Sequence, residues 1–142
     1  MAGLRVGFCF GAKPLIDGLR AIKNSFNSYP VDTLATLAAI SATKDDLWFE
    51  NNIATIVKTR SYFSQELEKI GFRVLPSSAN FALITHPSLE ADTLKDHLFK
   101  NKILVRHFPE TSVSNWLRIT IGKRKDCDVL LSVLKQKVSE TI

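Results

Sequence analysis

The opening segment of the chain alternates between large apolar residues and small or polar ones. In GLRVGFCF the large apolar positions are Leu4, Val6, Phe8 and Phe10. Because successive side chains of a strand point to opposite faces, this alternation predicts a strand that ends at Gly11. Arg5 would lie on the other face, between two glycines, Gly3 and Gly7, that leave space beside its side chain.

Helical spacing follows. The segment PLIDGLRAIKNSF predicts a helix with Pro14 near its first turn, and the alanine-rich VDTLATLAAIS predicts a second helix. A third and longer helix is predicted from about Lys44 to Ile70, with Thr43 and Asp46 as a capping box and Gly71 as its end. Its apolar stripe consists of Ile53, Ile56, Phe63, Leu67 and Ile70.

The remainder of the chain alternates between short apolar segments and helical ones. FRVL and NFALIT predict two strands, SLEADTLKDHLFKN predicts a helix, and ILVR and WLRITI predict two further strands. The apolar positions of the last helix are Val129, Leu130, Val133, Leu134 and Val138. The order ββαββα predicts an α+β fold, in which an antiparallel or mixed sheet carries its helices on one face.

Composition places the chain among ordinary globular proteins. Of its 142 residues, 45% are apolar and 23% are charged, and this length suffices for one domain with a core. No apolar run approaches the roughly 20 residues of a membrane helix, and the start of the chain does not resemble a secretory signal. Cys9 and Cys127 lie far apart without metal-type spacing, which indicates reduced thiols. We therefore predict a cytoplasmic protein with no membrane partner.

The formal net charge of +5 is compatible with several anionic partners, among them nucleic acid and small anions. The one basic cluster, Lys123 to Lys125, is followed at once by Asp126 and contains no aromatic residue. A platform for single-stranded nucleic acid combines both kinds of side chain. We therefore predict no nucleic-acid partner, and we assign the excess charge to small anionic molecules and to a solvated surface.

No complete catalytic motif is present in the sequence. It lacks a His-Glu metal motif, a nucleophile elbow and a phosphate-binding loop. The three histidines, His86, His97 and His107, are scattered over a predicted loop, a helix and a strand end. They are interpreted as ordinary surface or loop residues, and no metal site is expected.

The informative residues are three arginines on predicted strands, Arg5, Arg106 and Arg118. In WLRITI the alternation places Arg118 on one face and Leu117 on the core face. The planar fork of a guanidinium matches pairs of carboxylate or phosphate oxygens, which indicates a site for anionic small molecules. The alternative is that each arginine pairs with an acidic neighbour or extends into solvent. Spacing alone leaves both interpretations open.

Five segments, in order, resemble the fold type I pyridoxal-phosphate aminotransferases. They are AGLRVGF, NSYPVDTLA, PSSANFALI, ILVRHF and LRITIG, and the resemblance covers essentially the whole chain. Within the family they are most similar to the C-terminal part of its histidinol-phosphate branch. The resemblance implies amino transfer between histidinol phosphate and 2-oxoglutarate, in histidine biosynthesis, with pyridoxal 5'-phosphate as the cofactor of the complete enzyme.

The resemblance also implies roles for four residues. Arg5 matches the arginine that holds the phosphate of the cofactor. Arg118 matches the arginine that binds the α-carboxylate or the equivalent end of the amino substrate, and Arg106 matches a position associated with the substrate phosphate. Asn80 matches a strand residue near the substrate. The lysine that bonds the cofactor would stand before residue 1, so we expect no catalytic residue in this chain and no activity from these residues alone.

In the terms of that family, residues 1–12 would be a strand of the large domain, residues 13–43 connecting helices, and residues 44–142 the small C-terminal domain with its long linking helix. Apolar faces made to pack on a large domain would then be exposed, or covered in a homo-oligomer. Three alternatives remain: a related enzyme such as threonine-phosphate decarboxylase, a non-enzymatic α+β module that binds anions or nucleic acid, and a truncated reading frame without a role.

Overall fold

The computed structural model describes residues 2–141. They form two compact units, one up to residue 50 and one from residue 51 onward. The first unit contains a short 3-10 turn and two helices, and the second contains a four-stranded sheet with its helices. No described helix is both long enough and apolar enough to cross a membrane.

The predicted strand over GLRVGFCF is not formed. Ala2–Leu4 is a single 3-10 turn, Arg5 follows with a φ of 57°, and the chain then has no regular structure up to residue 12. A strand satisfies its backbone groups by pairing with a neighbour, and no described residue pairs with this segment. The alternation of side chains was therefore not sufficient to produce a strand.

The two predicted helices of the first unit are confirmed as α1 (Lys13–Phe26) and α2 (Thr33–Ala42). Proline stands in the first turn of α1, where its missing N–H costs no hydrogen bond. The carboxylate of Asp32 accepts a hydrogen bond of 2.9 Å from the backbone N–H of Ala35 and so caps α2.

The first unit buries little of its apolar surface. Ala35 is the one described residue of this unit that is buried. Its exposed large apolar side chains belong to Leu4, Phe8, Phe10, Leu15, Leu19, Ile22, Phe26, Tyr29, Val31, Leu34, Leu37, Ile40, Leu47, Trp48 and Phe49. Exposure on this scale is unusual for a free monomeric protein.

The third predicted helix is present as α3 (Asp46–Lys69), but it does not begin with the predicted capping box. Thr43 instead ends α2, where its hydroxyl donates to the carbonyl of Ile40. The carboxylate of Asp45 accepts from the backbone N–H of Trp48 and caps α3. Thr43 does not cap α3 because its hydroxyl is hydrogen-bonded within the last turn of α2. Gly71 follows α3 with a φ of 87°, as predicted for the residue that ends it.

The second unit confirms the predicted order ββαββα. Its elements are β1 (Arg73–Val74), β2 (Phe81–Thr85), α4 (Ala91–Lys100), β3 (Arg106–His107), β4 (Leu117–Thr120) and α5 (Arg124–Ser139). The strands lie in the order β1-β2-β4-β3, and every pair is antiparallel. The strand predicted over ILVR was expected to end at Arg106, whereas β3 begins at that residue.

One face of the sheet carries the core. Ala82 lies opposite Ile119 and Ile84 lies opposite Leu117, and all four side chains are buried. Apolar residues of α3, α4 and α5 pack against the same face, among them Phe63, Leu94 and Leu134. The side chains that point to the opposite face of the sheet, among them Leu83 and Arg118, are at most half-buried. This open face carries the arginines of interest.

The buried stripe of α5 differs from the prediction at one position. Val129 is 58% exposed, whereas Leu130, Leu134 and Val138 are buried as predicted and Val133 is packed at the margin of the core. Cys127 and Leu131 complete the buried stripe instead. The helix is rotated so that positions three and four apart from Cys127 face the core, which turns Val129 outward.

Candidate anion-binding site

Two of the three predicted arginines are brought together on the open face of the sheet. Arg106 on β3 lies directly opposite Arg118 on β4 in the antiparallel register. Side chains of such a pair leave the same face of the sheet, with Cβ atoms about 5 Å apart. The alternation in WLRITI is confirmed as well, because Leu117 and Ile119 are buried while Arg118 is only half-buried.

Aromatic rings support both guanidinium groups. The Cζ atom of Arg106 lies 5.3 Å from the ring centroid of Phe108, and that of Arg118 lies 5.6 Å from the same centroid. Arg118 also lies 5.3 Å from the ring centroid of Phe81 on β2. Each such cation–π contact is worth about 0.5–1 kcal/mol at an exposed site. The rings hold the two cations without neutralising them.

Neither arginine has an acidic partner. Among residues 2–141, Arg106 and Arg118 form no ion pair, whereas Arg20 pairs with Asp17 and Arg124 pairs with Asp128. The first half of the alternative interpretation, pairing with an acidic neighbour, is therefore wrong for this pair, whereas its second half, extension into solvent, describes Arg106, which is exposed. Like charges on neighbouring strands repel, and this repulsion is stronger near a protein surface than in bulk water. A bound anion would relieve that repulsion.

The structure does not bring Asn80 into contact with this pair: it stands just before β2, in a loop that is fixed by its backbone, and pairs with Ile121, three positions along the chain from Arg118. Arg60 of α3 donates to the carbonyl of Ala79, the hydroxyl of Ser77 donates to the carbonyl of Phe81, and the carbonyl of Asn80 accepts from the N–H of Ile121 at 2.8 Å. The Asn80 side chain is exposed and makes no hydrogen bond to a described residue. The loop therefore leaves its amide group available to a ligand.

Sequence reasoning missed the aromatic part of this site. Phe108 stands two positions after Arg106, so an alternating pattern extended past ILVR would have placed both on one face. Arg73 is a third arginine on the open face that was not singled out. Its guanidinium lies 5.9 Å from the ring of Trp116, and it too forms no ion pair with a described residue.

Arg5 belongs to the first unit. It is exposed, forms no ion pair with a described residue, and has a left-handed backbone conformation. A side chain added at Gly3 or Gly7 would meet no atom within 4 Å, but the strand on which these glycines were expected to flank Arg5 is not formed. An accessible and unpaired guanidinium suits a phosphate group.

The three histidines hold the second unit together. His97 is hydrogen-bonded to the carbonyl of Val133, which ties α4 to α5, and His107 lies between Asp92 and the carbonyl of Ser114. His86 is buried, with its Nδ1 accepting from the N–H of Ser88. No described group of side chains could hold a metal ion.

Burial of His86 has a consequence for the pH dependence of stability. Burial lowers the pKa of His86 below its ordinary value of 6.5, although a hydrogen bond to the carbonyl of Ile70 raises it in part. The unfolded chain therefore takes up the proton first as the pH falls. The stability that neutral His86 provides is present above pH 6.5 and is lost as the pH falls below it, with a limiting slope of about 1.4 kcal/mol per pH unit.

Urea unfolding between pH 7.5 and 5.5 measures this loss. In His86→Gln the slope of unfolding free energy against pH should be smaller than in the unaltered chain. Equal slopes in the two proteins would contradict the assignment to His86.

The remaining polar clusters are occupied by contacts within the fold. Arg124 from the basic cluster pairs with Asp128 and lies 3.0 Å from the ring centroid of Tyr62. Cys127 is buried, which raises the pKa of its thiol, and Cys9 is exposed. Both thiols are free, in agreement with the predicted absence of a disulfide.

Comparison with known proteins decides the family. The sequence pattern that defines the family described as Aminotransferase class I and II matches residues 1–134. This chain belongs to that family. The resemblance found in the five sequence segments is thereby confirmed at the level of the family, and the α+β fold is that of its members.

Relatives within the aminotransferase family are similar along most of this chain. A histidinol-phosphate aminotransferase of Clostridium botulinum is 42% identical over 140 residues, which are 99% of this chain and 40% of that protein. The solved histidinol-phosphate aminotransferase of Clostridium acetobutylicum matches with a TM-score of 0.76 and 31% identity over 84% of this chain and 37% of its own. The chain therefore spans about 40% of the length of the curated relatives it matches.

A more distant aminotransferase structure was solved with a cofactor. The histidinol-phosphate aminotransferase of Sinorhizobium meliloti, in complex with pyridoxal 5'-phosphate, matches with a TM-score of 0.76 at 20% identity. The match covers 87% of this chain and 34% of that one. At this identity the match carries the fold alone.

Proposed function

We propose that this chain is the C-terminal part of a pyridoxal-phosphate-dependent histidinol-phosphate aminotransferase, and that Arg106 and Arg118 bind the anionic ends of its substrates. The observation that carries the proposal is the pair of arginines on the open face, Arg106 and Arg118, which are register partners on neighbouring strands and have no carboxylate partner among the described residues. A small anion that carries a carboxylate or a phosphate satisfies both.

Within this proposal the residues have distinct roles. Arg118 binds a carboxylate of 2-oxoglutarate through its fork of N–H donors and, when histidinol phosphate is bound, the equivalent phosphate-bearing end of that substrate, where Arg106 also binds. Asn80 donates or accepts a hydrogen bond near the reacting end of the substrate. The amino substrate and 2-oxoglutarate alternate at the site, so the same cations serve both.

The cofactor contact of the chain is Arg5. Its exposed guanidinium, unpaired among the described residues, is chemically suited to the phosphate of pyridoxal 5'-phosphate. When bound, the cofactor supplies an electron sink for the bonds at the substrate α-carbon. In this proposal, the residues of this chain hold the phosphate of the cofactor and orient the substrate.

A chimera tests the substrate. In the Clostridium botulinum relative, the segment aligned with this chain would be replaced by the chain itself. We expect the chimera to convert histidinol phosphate and 2-oxoglutarate with a kcat/KM within about tenfold of the parent enzyme. Release of carbon dioxide from threonine phosphate, without amino transfer, would favour the decarboxylase alternative. Loss of amino transfer in a chimera that folds and holds the cofactor would overturn the proposal.

A polypeptide of these 142 residues alone is expected to be inactive. In the family motif the lysine that bonds the cofactor precedes the segment AGLRVGF, and no lysine of the chain stands at that position. Purified chain should show no amino transfer, and no cofactor absorption in the visible range should survive dialysis. Turnover by the chain, or a retained visible band, would contradict this expectation.

The exposed apolar residues of the first unit support the prediction that this surface is covered, by the preceding part of the fold or in a homo-oligomer. Self-association, a cytoplasmic location and the absence of a nucleic-acid partner stay predictions. Arg124 is already engaged with Asp128 and Tyr62, which supports the last of these.

A further inference from the structure

Phe108 is an aromatic residue in the loop that directly follows β3. It contacts two guanidinium groups at once, with Cζ-to-centroid distances of 5.3 Å for Arg106 and 5.6 Å for Arg118. Both arginines carry long side chains with many rotamers, and ordering them costs entropy whenever a ligand binds. A shared ring restricts both side chains before any ligand arrives.

The backbone at Phe108 is held in place from both sides along the chain. Its neighbour His107 pairs with Asp92 through Nδ1 at 3.2 Å and is hydrogen-bonded to the carbonyl of Ser114 through Nε2. The carbonyl of Phe108 accepts a hydrogen bond of 3.0 Å from the hydroxyl of Thr111. The backbone position of Phe108 is therefore fixed, although the residue lies just beyond the end of β3.

We propose that Phe108 is a positioning residue that holds Arg106 and Arg118 side by side, so that one phosphate group can be bound by both. The proposal rests on the proposed function of the two arginines and adds to it the reason why they form a single site. Like charges that lie directly opposite in a sheet repel and would otherwise separate. Because both guanidinium groups are attracted to one ring, at Cζ-to-centroid distances of 5.3 and 5.6 Å, that ring limits how far the two cations can separate.

The uniformly 15N-labelled chain provides a direct test, because the Nε–H signals of the arginines report their surroundings. Without any anion, the Nε–H protons of Arg106 and Arg118 should both be displaced by the ring current of Phe108. For Arg106 this displacement should be lost in Phe108→Leu and retained in Phe108→Tyr, which keeps the ring. For Arg118, which also lies over Phe81, the displacement should change in Phe108→Leu but not in Phe108→Tyr. Phe99→Leu, at an exposed phenylalanine of α4, is the matched control and should change neither signal.

Titration with inorganic phosphate then measures the consequence for binding. The two arginine signals should shift with one common midpoint. The midpoint should rise about 5- to 30-fold in Phe108→Leu, as expected for the loss of two exposed cation–π contacts, and stay within about twofold in Phe108→Tyr. An unchanged midpoint in Phe108→Leu, with both signals still responding, would overturn the role of Phe108 and leave the proposed anion site intact.

Two further outcomes separate the proposals. If phosphate shifts neither arginine signal in the unaltered chain, the proposed anion site is wrong, and the proposed role of Phe108 is then wrong as well. If the signals respond with different midpoints, the arginines bind separately and Phe108 does not unite them. Folding of each variant is checked in the same spectra by the amide signals of β2 and β4.

Discussion

Replacing Arg118 with glutamine in the Clostridium botulinum chimera is expected to lower kcat/KM for histidinol phosphate and 2-oxoglutarate by about 30- to 100-fold. The substitution keeps the length and polarity of the side chain but removes the charge and the fork of donors. Losing one partner of a desolvated ionic hydrogen bond costs about 2 kcal/mol or more, and each 1.4 kcal/mol corresponds to a factor of ten. Arg118 is half-buried and without a carboxylate partner among the described residues, so its charge is available to the substrate.

The matched control is Arg73→Gln. Arg73 is also an arginine of the open sheet, but it lies over Trp116 and away from the Arg106 pair. Its replacement should change kcat/KM by no more than about twofold, because it removes the same net charge without touching the site. Steady-state kinetics of the two variants and the chimera give the comparison. Equal losses in both variants would mean that only the overall positive charge matters, and the assignment of Arg118 would be wrong.

Truncating Leu134 to alanine is expected to lower the free energy of unfolding of the second unit by about 2–5 kcal/mol. Leu134 is fully buried on α5, within the core formed by the sheet and the helices. The truncation removes apolar burial and leaves a cavity that the packed neighbours fill only in part. Because small domains are stable by roughly 5–15 kcal/mol, this loss is a large share of the total.

Val129→Ala is the control for this prediction, because it shortens an apolar residue of the same helix that is 58% exposed. Its effect should stay within about 0.5 kcal/mol. Hydrogen exchange of the β2 and β4 amides reports the opening of the second unit in both variants. A small effect at Leu134 together with a large one at Val129 would contradict the observed rotation of α5.

The open face of the sheet explains how a fold of this size serves a charged substrate. The helices cover one face and supply the stability, so the other face can hold cations that the core could not tolerate. The repulsion between Arg106 and Arg118 is a cost that remains while no anion is bound. Such a cost is acceptable in a binding site, where the ligand removes it.

The sequence by itself determined the helices and the burial of the central strands. The spacing of apolar residues in α1 and α3 and the alternation in WLRITI depend on local geometry, because side chains three or four apart share a helix face and those two apart share a strand face. The helix start predicted near Pro14 and the helix end predicted at Gly71 are both confirmed, because the backbone preferences of proline and glycine are also local. The family resemblance came from residues of the same kind, read in order along the chain.

The tertiary structure alone decided what depends on residues distant in sequence. GLRVGFCF has the alternation of a strand, but among residues 2–141 it has no neighbour with which to pair, and backbone hydrogen bonds to a partner are what make a strand. The opposition of Arg106 and Arg118 follows from the register of β3 against β4, which no local pattern specifies. The same register brings Phe108 to both guanidinium groups, so the site exists only once the sheet has formed.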